Sequence, residues 1–212
     1  MIFRMKRYLF LMSALLVSVS AFAQQNSTWK RLESNFQLGG GLFLESGYLA
    51  REENPGAVLR LSYGLDIRLN DQWSVMPGVG LRAQLSQIDH FMAVGNDPDG
   101  MSLADVFVTA RYHFESDGTR MVVGLGPALS IMTSADTYYV DADPSDPLDG
   151  KEKFKRYDLG LQPSITFLRG KHFQWGFEGS IGLLNAMRQY PEYKRTGSVH
   201  MHYLAVTCGW HF

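Results

Sequence analysis

A single cysteine, Cys208, stands in 212 residues, so no disulfide framework holds this fold together. Neither sign of charge prevails: Lys+Arg 20 against Asp+Glu 21 leaves a formal −1, which removes a strongly basic nucleic-acid binder. Charged residues are only 19%, while 13% are aromatic and 45% hydrophobic, the reverse of a disordered chain. Past Ala23 no apolar run reaches the ~18 residues of a membrane-spanning helix, and a mean hydropathy of −0.13 is too polar for a helical membrane protein. A phosphate-cradling loop is missing as well, because Gly39-Gly40-Gly41 opens no helix. What remains is a chain rich in aromatics and in glycine, with 21 of the latter.

The N-terminus carries Arg4, Lys6 and Arg7, then an apolar stretch from Leu9 to Phe22, then the small-residue exit Ala21-Phe22-Ala23. That order is the layout of a secretory signal peptide, here 1–23, followed by a short leader over 24–35. Loss of the three basic residues brings Lys+Arg from 20 to 17 against 21 acids, a net −4 for the exported chain. No cysteine follows the cleavage site to take a lipid anchor.

From Phe36 onward the chain alternates with a period of two, the signature of β-strands. The cleanest case is 57–69, with Ala57, Leu59, Leu61, Tyr63, Leu65, Ile67 and Leu69 at odd positions and Arg60, Asp66 and Arg68 between them. Segments 36–50, 73–87, 102–114, 120–133, 154–168, 173–187 and 198–212 behave alike. These are longer than the usual strand of about 5–6 residues and long enough to cross a bilayer, which takes ~9–11. Short links (70–72, 115–119, 169–172) alternate with long ones (51–56, 88–101, 134–153, 188–197), as short periplasmic turns alternate with longer external loops. The pattern predicts an all-β protein, an eight-stranded antiparallel up-and-down transmembrane β-barrel over 36–212.

A soluble barrel alternates too, with its apolar face inward. Charge placement separates the two. On the apolar faces the one charged residue is Lys155; the opposite faces carry Glu45, Arg60, Asp66, Arg68, Arg82, Asp105, Arg111, Arg120, Arg156, Asp158 and Glu178. Acids and bases nearly balance there, as a closed lumen of paired charges requires. Each arginine turned to lipid near the midplane would instead cost roughly 2–4 kcal/mol. Glycines such as Gly39, Gly64, Gly78, Gly80 and Gly124 share the polar face, room for long side chains in a narrow barrel. Phe36, Trp73, Tyr112, Phe114, Phe167, Phe173, Trp175, Trp210 and Phe212 gather at the turn ends of the apolar faces, a candidate interfacial girdle. Tyr48, Tyr157, His200 and His202 form a thinner one at the loop ends.

The closing Leu204-Ala205-Val206-Thr207-Cys208-Gly209-Trp210-His211-Phe212, apolar at every second position, resembles the C-terminal signal of outer-membrane barrels, with Trp210 and Phe212 as the residues the barrel-assembly machinery reads. Val108-Thr109-Ala110-Arg111-Tyr112-His113-Phe114, Gly126-Pro127-Ala128, Asp158-Leu159-Gly160-Leu161, Gly182-Leu183-Leu184-Asn185 and Gly209-Trp210-His211-Phe212 look like the PorT-type outer membrane protein beta-barrel domain family. The architecture is also similar to small adhesin-like and OmpA-type barrels. The resemblance implies a location in the outer membrane, contact with its lipid and lipopolysaccharide, and a structural, adhesin-like or secretion-accessory role with an envelope or secretion-complex partner. It brings no catalytic residues and no cofactor.

Three chemistries compete with that reading. Asp141, Asp143, Asp146 and Asp149, with Asp89, Asp97 and Asp99 in another loop, offer carboxylates to a divalent cation, or simply a solvated acidic surface. Asp89-His90 at the rim, or His200 and His202 on the lipid side, would suit a membrane hydrolase, although no His-x-Ser follows the histidines. A narrow channel is the third, limited by the small bore of eight strands. The expectation is a non-enzyme without cofactor or metal, with Cys208 as a small lipid-facing hydrophobe.

Overall fold

The structure, a computed structural model, describes residues 32–46, 56–85, 100–116, 119–135, 154–186, 188–189 and 198–212. Its strands are β1 (Leu32–Ser46), β2 (Gly56–Arg68), β3 (Trp73–Leu85), β4 (Gly100–Ser116), β5 (Thr119–Ala135), β6 (Tyr157–Arg169), β7 (Phe173–Gly182) and β8 (His200–His211). Each pairs antiparallel with its sequence neighbours, and β8 returns to β1 to close the barrel. The seam is pinned beyond the ladder, where the N–H and carbonyl of Ser34 bond the carbonyl and N–H of Phe212, both at 2.9 Å. The expected eight-stranded antiparallel architecture is the one observed.

Several strand ends differ from the sequence reading. Leu32 to Asn35, expected in a leader, belong to β1, because Leu32 pairs with Ile67 and Asn35 with His211. Strand β7 stops at Gly182 rather than at 187, since the Gly182 N–H donates to the His202 ring at 3.2 Å instead of continuing the ladder. The segment 1–31, with the export signal and most of the leader, lies outside the described residues.

The turn ends are set by local chemistry. Asn70 Oδ1 accepts the N–H groups of Gln72 and Trp73 at 2.9 and 2.8 Å, a side-chain turn that reverses β2 into β3. Between β6 and β7, Gly170 takes a φ of 67°, which costs a residue without Cβ nothing. Inside the ladder, prolines leave a mark of their own. Pairing skips Pro77 between β2 and β3, Pro127 between β4 and β5, and Pro163 between β6 and β7. Proline has no N–H to give, so each ladder opens on that side while the other side stays in register. A bulge at the loop end of β5 adds Thr133, whose hydroxyl donates to the Ser102 carbonyl at 2.9 Å.

The barrel is inside-out relative to a soluble one. Among the described residues, 20 buried side chains are polar or charged against 14 apolar, while Leu38, Leu59, Leu125, Leu204 and Val206 stand on the outer surface, each more than half exposed. On β8 the outward series Leu204, Val206, Cys208, Trp210, Phe212 spans about 20 Å along the axis at the usual rise and tilt, close to the ~25 Å apolar band of an outer-membrane barrel. At its turn end runs an aromatic ring: Trp73 against Tyr112 across β3 and β4 at 4.9 Å, Tyr112 against Phe114 along β4 at 4.6 Å, and Phe167 stacked on Trp175 across β6 and β7 at 4.6 Å. Trp210 pairs with both Phe36 and Phe173, which carries the ring across the seam. The apolar face therefore lines no cavity, contrary to what a soluble, ligand-enclosing barrel requires.

Candidate functional site: the lumen and its mouths

Inward positions stack in layers, and the central one is ionic. Arg60 on β2 contacts Glu178 on β7, and its Nε lies 3.6 Å from Asp105 Oδ2 on β4. Arg82 on β3 reaches Asp105 Oδ1 at 3.1 Å and donates to Ser130 Oγ on β5 at 2.8 Å. Two guanidiniums and two carboxylates thus close on one another, each at most 4% exposed. Tyr203 on β8 completes the layer: its hydroxyl donates to Glu178 Oε1 at 2.9 Å, and its ring lies 4.8 Å from the Arg82 guanidinium and 5.8 Å from that of Arg60. Charge, hydrogen bonds and cation–π contact from six strands fill the bore.

Apolar layers flank this one. Toward the loop side, Phe43, Val58, Phe154, Ala186, Met201 and Ala205 pack together, with Met101 and Met132 against them. Phe154 comes from outside the strands and is held by its neighbours, since Lys155 N–H donates to the Ala186 carbonyl at 2.7 Å and Met132 N–H to the Arg156 carbonyl at 2.8 Å. Toward the turn side, Met76, Phe107 and Ala128 form a smaller layer, and Gly78 lets the Phe107 ring lie flat on β3 where a Cβ would overlap it.

A second charged layer follows. Arg111 Nη1 donates to Asp66 Oδ2 at 2.7 Å and His113 Nε2, 3.8 Å from the same oxygen, bonds Ser74 Oγ at 2.7 Å. At the turn-side mouth Arg68 and Arg120 stand 3.6 and 4.0 Å from Glu33, a residue the sequence reading left in the leader.

Of the sequence-derived lumen residues, Arg60, Arg82, Asp105 and Glu178 meet in the centre and Asp66 and Arg111 below them. Asp158 is buried apart, its carboxylate against the Gly182 backbone. Glu45 is half-buried at the loop end of β1, opposite Met201. Arg156 is a correction: β6 begins only at Tyr157, so Arg156 lies at the rim and is exposed rather than in the lumen. Phe43, Phe107, Phe154 and Tyr203 share the inward parity of the charged residues, but the sequence reading followed charge and did not single them out as lumen fillers. Asp89, His90, Asp97, Asp99, Asp141, Asp143, Asp146 and Asp149 lie outside the described residues.

On the lipid side at the loop end, His202 Nε2 lies 2.6 Å from Ser46 Oγ, a pairing invisible in sequence because the partners are on β8 and β1. Since His202 Nδ1 accepts the Gly182 N–H, the neutral ring carries its proton on Nε2 and donates to the serine. A general base would need the opposite tautomer. Among the described residues no three His, Cys, Asp or Glu side chains converge as a metal site.

No family model matches the chain. No curated protein matches it either. Among solved structures it is similar to Ail, the attachment invasion locus protein of Yersinia pestis, at 11% identity and a TM-score of 0.51, over 85% of this chain and 98% of that one. It is similar also to Neisserial surface protein A, at 13% identity and a TM-score of 0.50, over 85% of this chain and 97% of that one. At such identities the likeness is one of fold, that of small eight-stranded outer-membrane barrels.

Proposed function

We propose that this chain is an outer-membrane β-barrel with a structural, adhesin-like or secretion-accessory role, and that it acts through its ends rather than through its bore. The observation that carries this is the double closure of the lumen. The neutral Arg60–Arg82–Asp105–Glu178 layer fills the middle of the lumen with buried, paired charges, and an apolar layer that includes Phe154 lies across it on the loop side. The outward apolar belt and its aromatic ring favour lipid around it, with the long loops outside the cell and the short turns in the periplasm. Lipid, lipopolysaccharide and the assembly machinery are the partners this location supplies, and the PorT-type resemblance favours an envelope or secretion-complex partner by analogy alone. The reading is of a non-enzyme: the Ser46–His202 pair holds its proton on the wrong nitrogen for nucleophile activation.

The test is to express the chain with its own leader, recover it from the outer-membrane fraction, compare unboiled and boiled gel mobility, and record from planar bilayers. A faster-running unboiled band and a silent bilayer are expected. A water-soluble product without a mobility shift would refute the membrane reading. Stable unitary conductance would refute the closed bore.

A further inference from the structure

The turn-side mouth differs from the lumen above it in that its charges do not close on one another. A cleft of about 330 Å³ lies there, lined by Arg68, Asn70, Asp71, His113, Glu115 and Arg120. Arg68 and Arg120 share a single oxygen of Glu33 at 3.6 and 4.0 Å, both too long for a hydrogen bond. Their side chains are 16% and 33% exposed, so both guanidiniums remain within reach of a ligand. Asn70 spends its carboxamide oxygen on the turn, which fixes the side chain and leaves its NH2 end as a donor. Two exposed carboxylates, Asp71 and Glu115, line the same cleft.

A lone anion in this cleft meets Asp71 and Glu115, and a lone cation meets Arg68 and Arg120. A group carrying both signs finds a partner for each. The volume lies at the small end of ligand sites, about 300–1,000 Å³, so the guest is one or two amino-acid units in size. We propose that the turn-side mouth binds the zwitterionic end of an amino acid or short peptide, its carboxylate on Arg68 and Arg120 and its ammonium on Asp71 and Glu115. Two sources offer that chemistry: a soluble amino acid or peptide, and the unlinked diamino-acid side chain of a cell-wall stem peptide, which keeps both its amine and its carboxylate free. Only the second depends on the orientation proposed above.

The refolded full chain in detergent micelles is titrated calorimetrically with D-alanyl-D-alanine and with its N-acetylated and C-amidated forms. The free dipeptide binds, and either cap weakens binding by about tenfold or more, the loss of one charge-assisted contact. Arg68→Ala with Arg120→Ala abolishes binding. Asp71→Asn with Glu115→Gln keeps binding but removes the penalty of the N-acetyl group, and the mobility shift on boiling reports that each variant folds. Absence of binding by the free dipeptide, or equal binding of all three forms, overturns the proposal. Co-sedimentation with purified cell-wall sacculi, displaced by the dipeptide, assigns the wall as source. Dipeptide binding without sedimentation assigns a soluble guest, and sedimentation that the dipeptide does not displace counts against this site. A conducting bilayer would sink the closed-bore reading and leave this one standing.

Discussion

Removing Glu178 probes the central layer most directly. Glu178 is 4% exposed and Arg60 2%, and the Arg60 guanidinium has no hydrogen-bond acceptor apart from this contact. In Glu178→Ala the nearest remaining carboxylate is Asp105, 3.6 Å from Arg60 and already engaged by Arg82 at 3.1 Å. The layer passes from neutral to a net +1, and breaking a buried pair in this way costs about 3–5 kcal/mol. Tyr203 loses the acceptor of its hydroxyl besides, worth roughly 1–3 kcal/mol if nothing replaces it. Water entering the vacated space satisfies part of both losses, so a net of about 4 kcal/mol is expected. Arg60→Leu with Glu178→Ala removes both charges and should recover at least ~2 kcal/mol relative to the sum of the single changes. The assay is urea unfolding in lipid vesicles, followed by tryptophan fluorescence and by gel mobility, run as a double-mutant cycle. Additivity within about 0.5 kcal/mol would show that the two residues do not act as a pair and would refute the ionic closure.

Three further outcomes follow from other parts of the barrel. Val206→Arg, on an outward position 56% exposed in the middle of the β8 series, should cost about 2–4 kcal/mol in the same unfolding assay, whereas Leu69→Arg at the turn end should cost only about 0–1 kcal/mol; equal costs at the two depths would mean the belt is not in lipid. Phe154→Ala alone should leave a bilayer silent because the ionic layer still blocks the bore, while Phe154→Ala with Arg82→Ala should admit small ions; conductance from the first variant would place the whole closure at the mouth. Phe212→Ala keeps the two backbone bonds to Ser34 and should lower the folded yield in cells but not refolding in detergent, whereas deletion of Phe212 should lower both; an equal refolding defect in the two would make the side chain a part of the fold and not an assembly signal.

The period-two pattern made the fold legible because a barrel with one face in lipid cannot let its alternation slip without turning charges outward. Each of β2, β3, β4 and β7 keeps its charged residues on one parity for this reason, and that parity brought Arg60, Arg82, Asp105 and Glu178 to one place. Ends were less legible. Glu33 belongs to β1 through its pairing with Asp66, and Asn35 also through a seam with His211 on β8, far away in sequence, and no local pattern reports such partners. The same holds for Ser46 and His202, which only closure of the barrel brings together. Phe154 shares the inward parity of Arg156 and Asp158 although it lies before β6 begins; its main chain is held by the bond from the Lys155 N–H to the Ala186 carbonyl, and its ring joins the loop-side apolar layer.

Closure by two unlike layers bears on where this barrel can act. An ionic layer loosens when its charges are altered, and an apolar layer loosens when its burial is lost; no one of these changes acts on both. A pore gated by a single signal would need either one such layer or a mechanical link that moves Phe154 and the arginines together. Phe154 packs with Tyr203, and Tyr203 holds Glu178, so a link exists, but it runs through a side chain anchored on β8 beside the seam. Moving it would strain the β1–β8 ladder that closes the barrel. The same contacts that fill the bore therefore brace the seam, and among the described residues it is the charges around Glu33 at the turn end that do not close on one another.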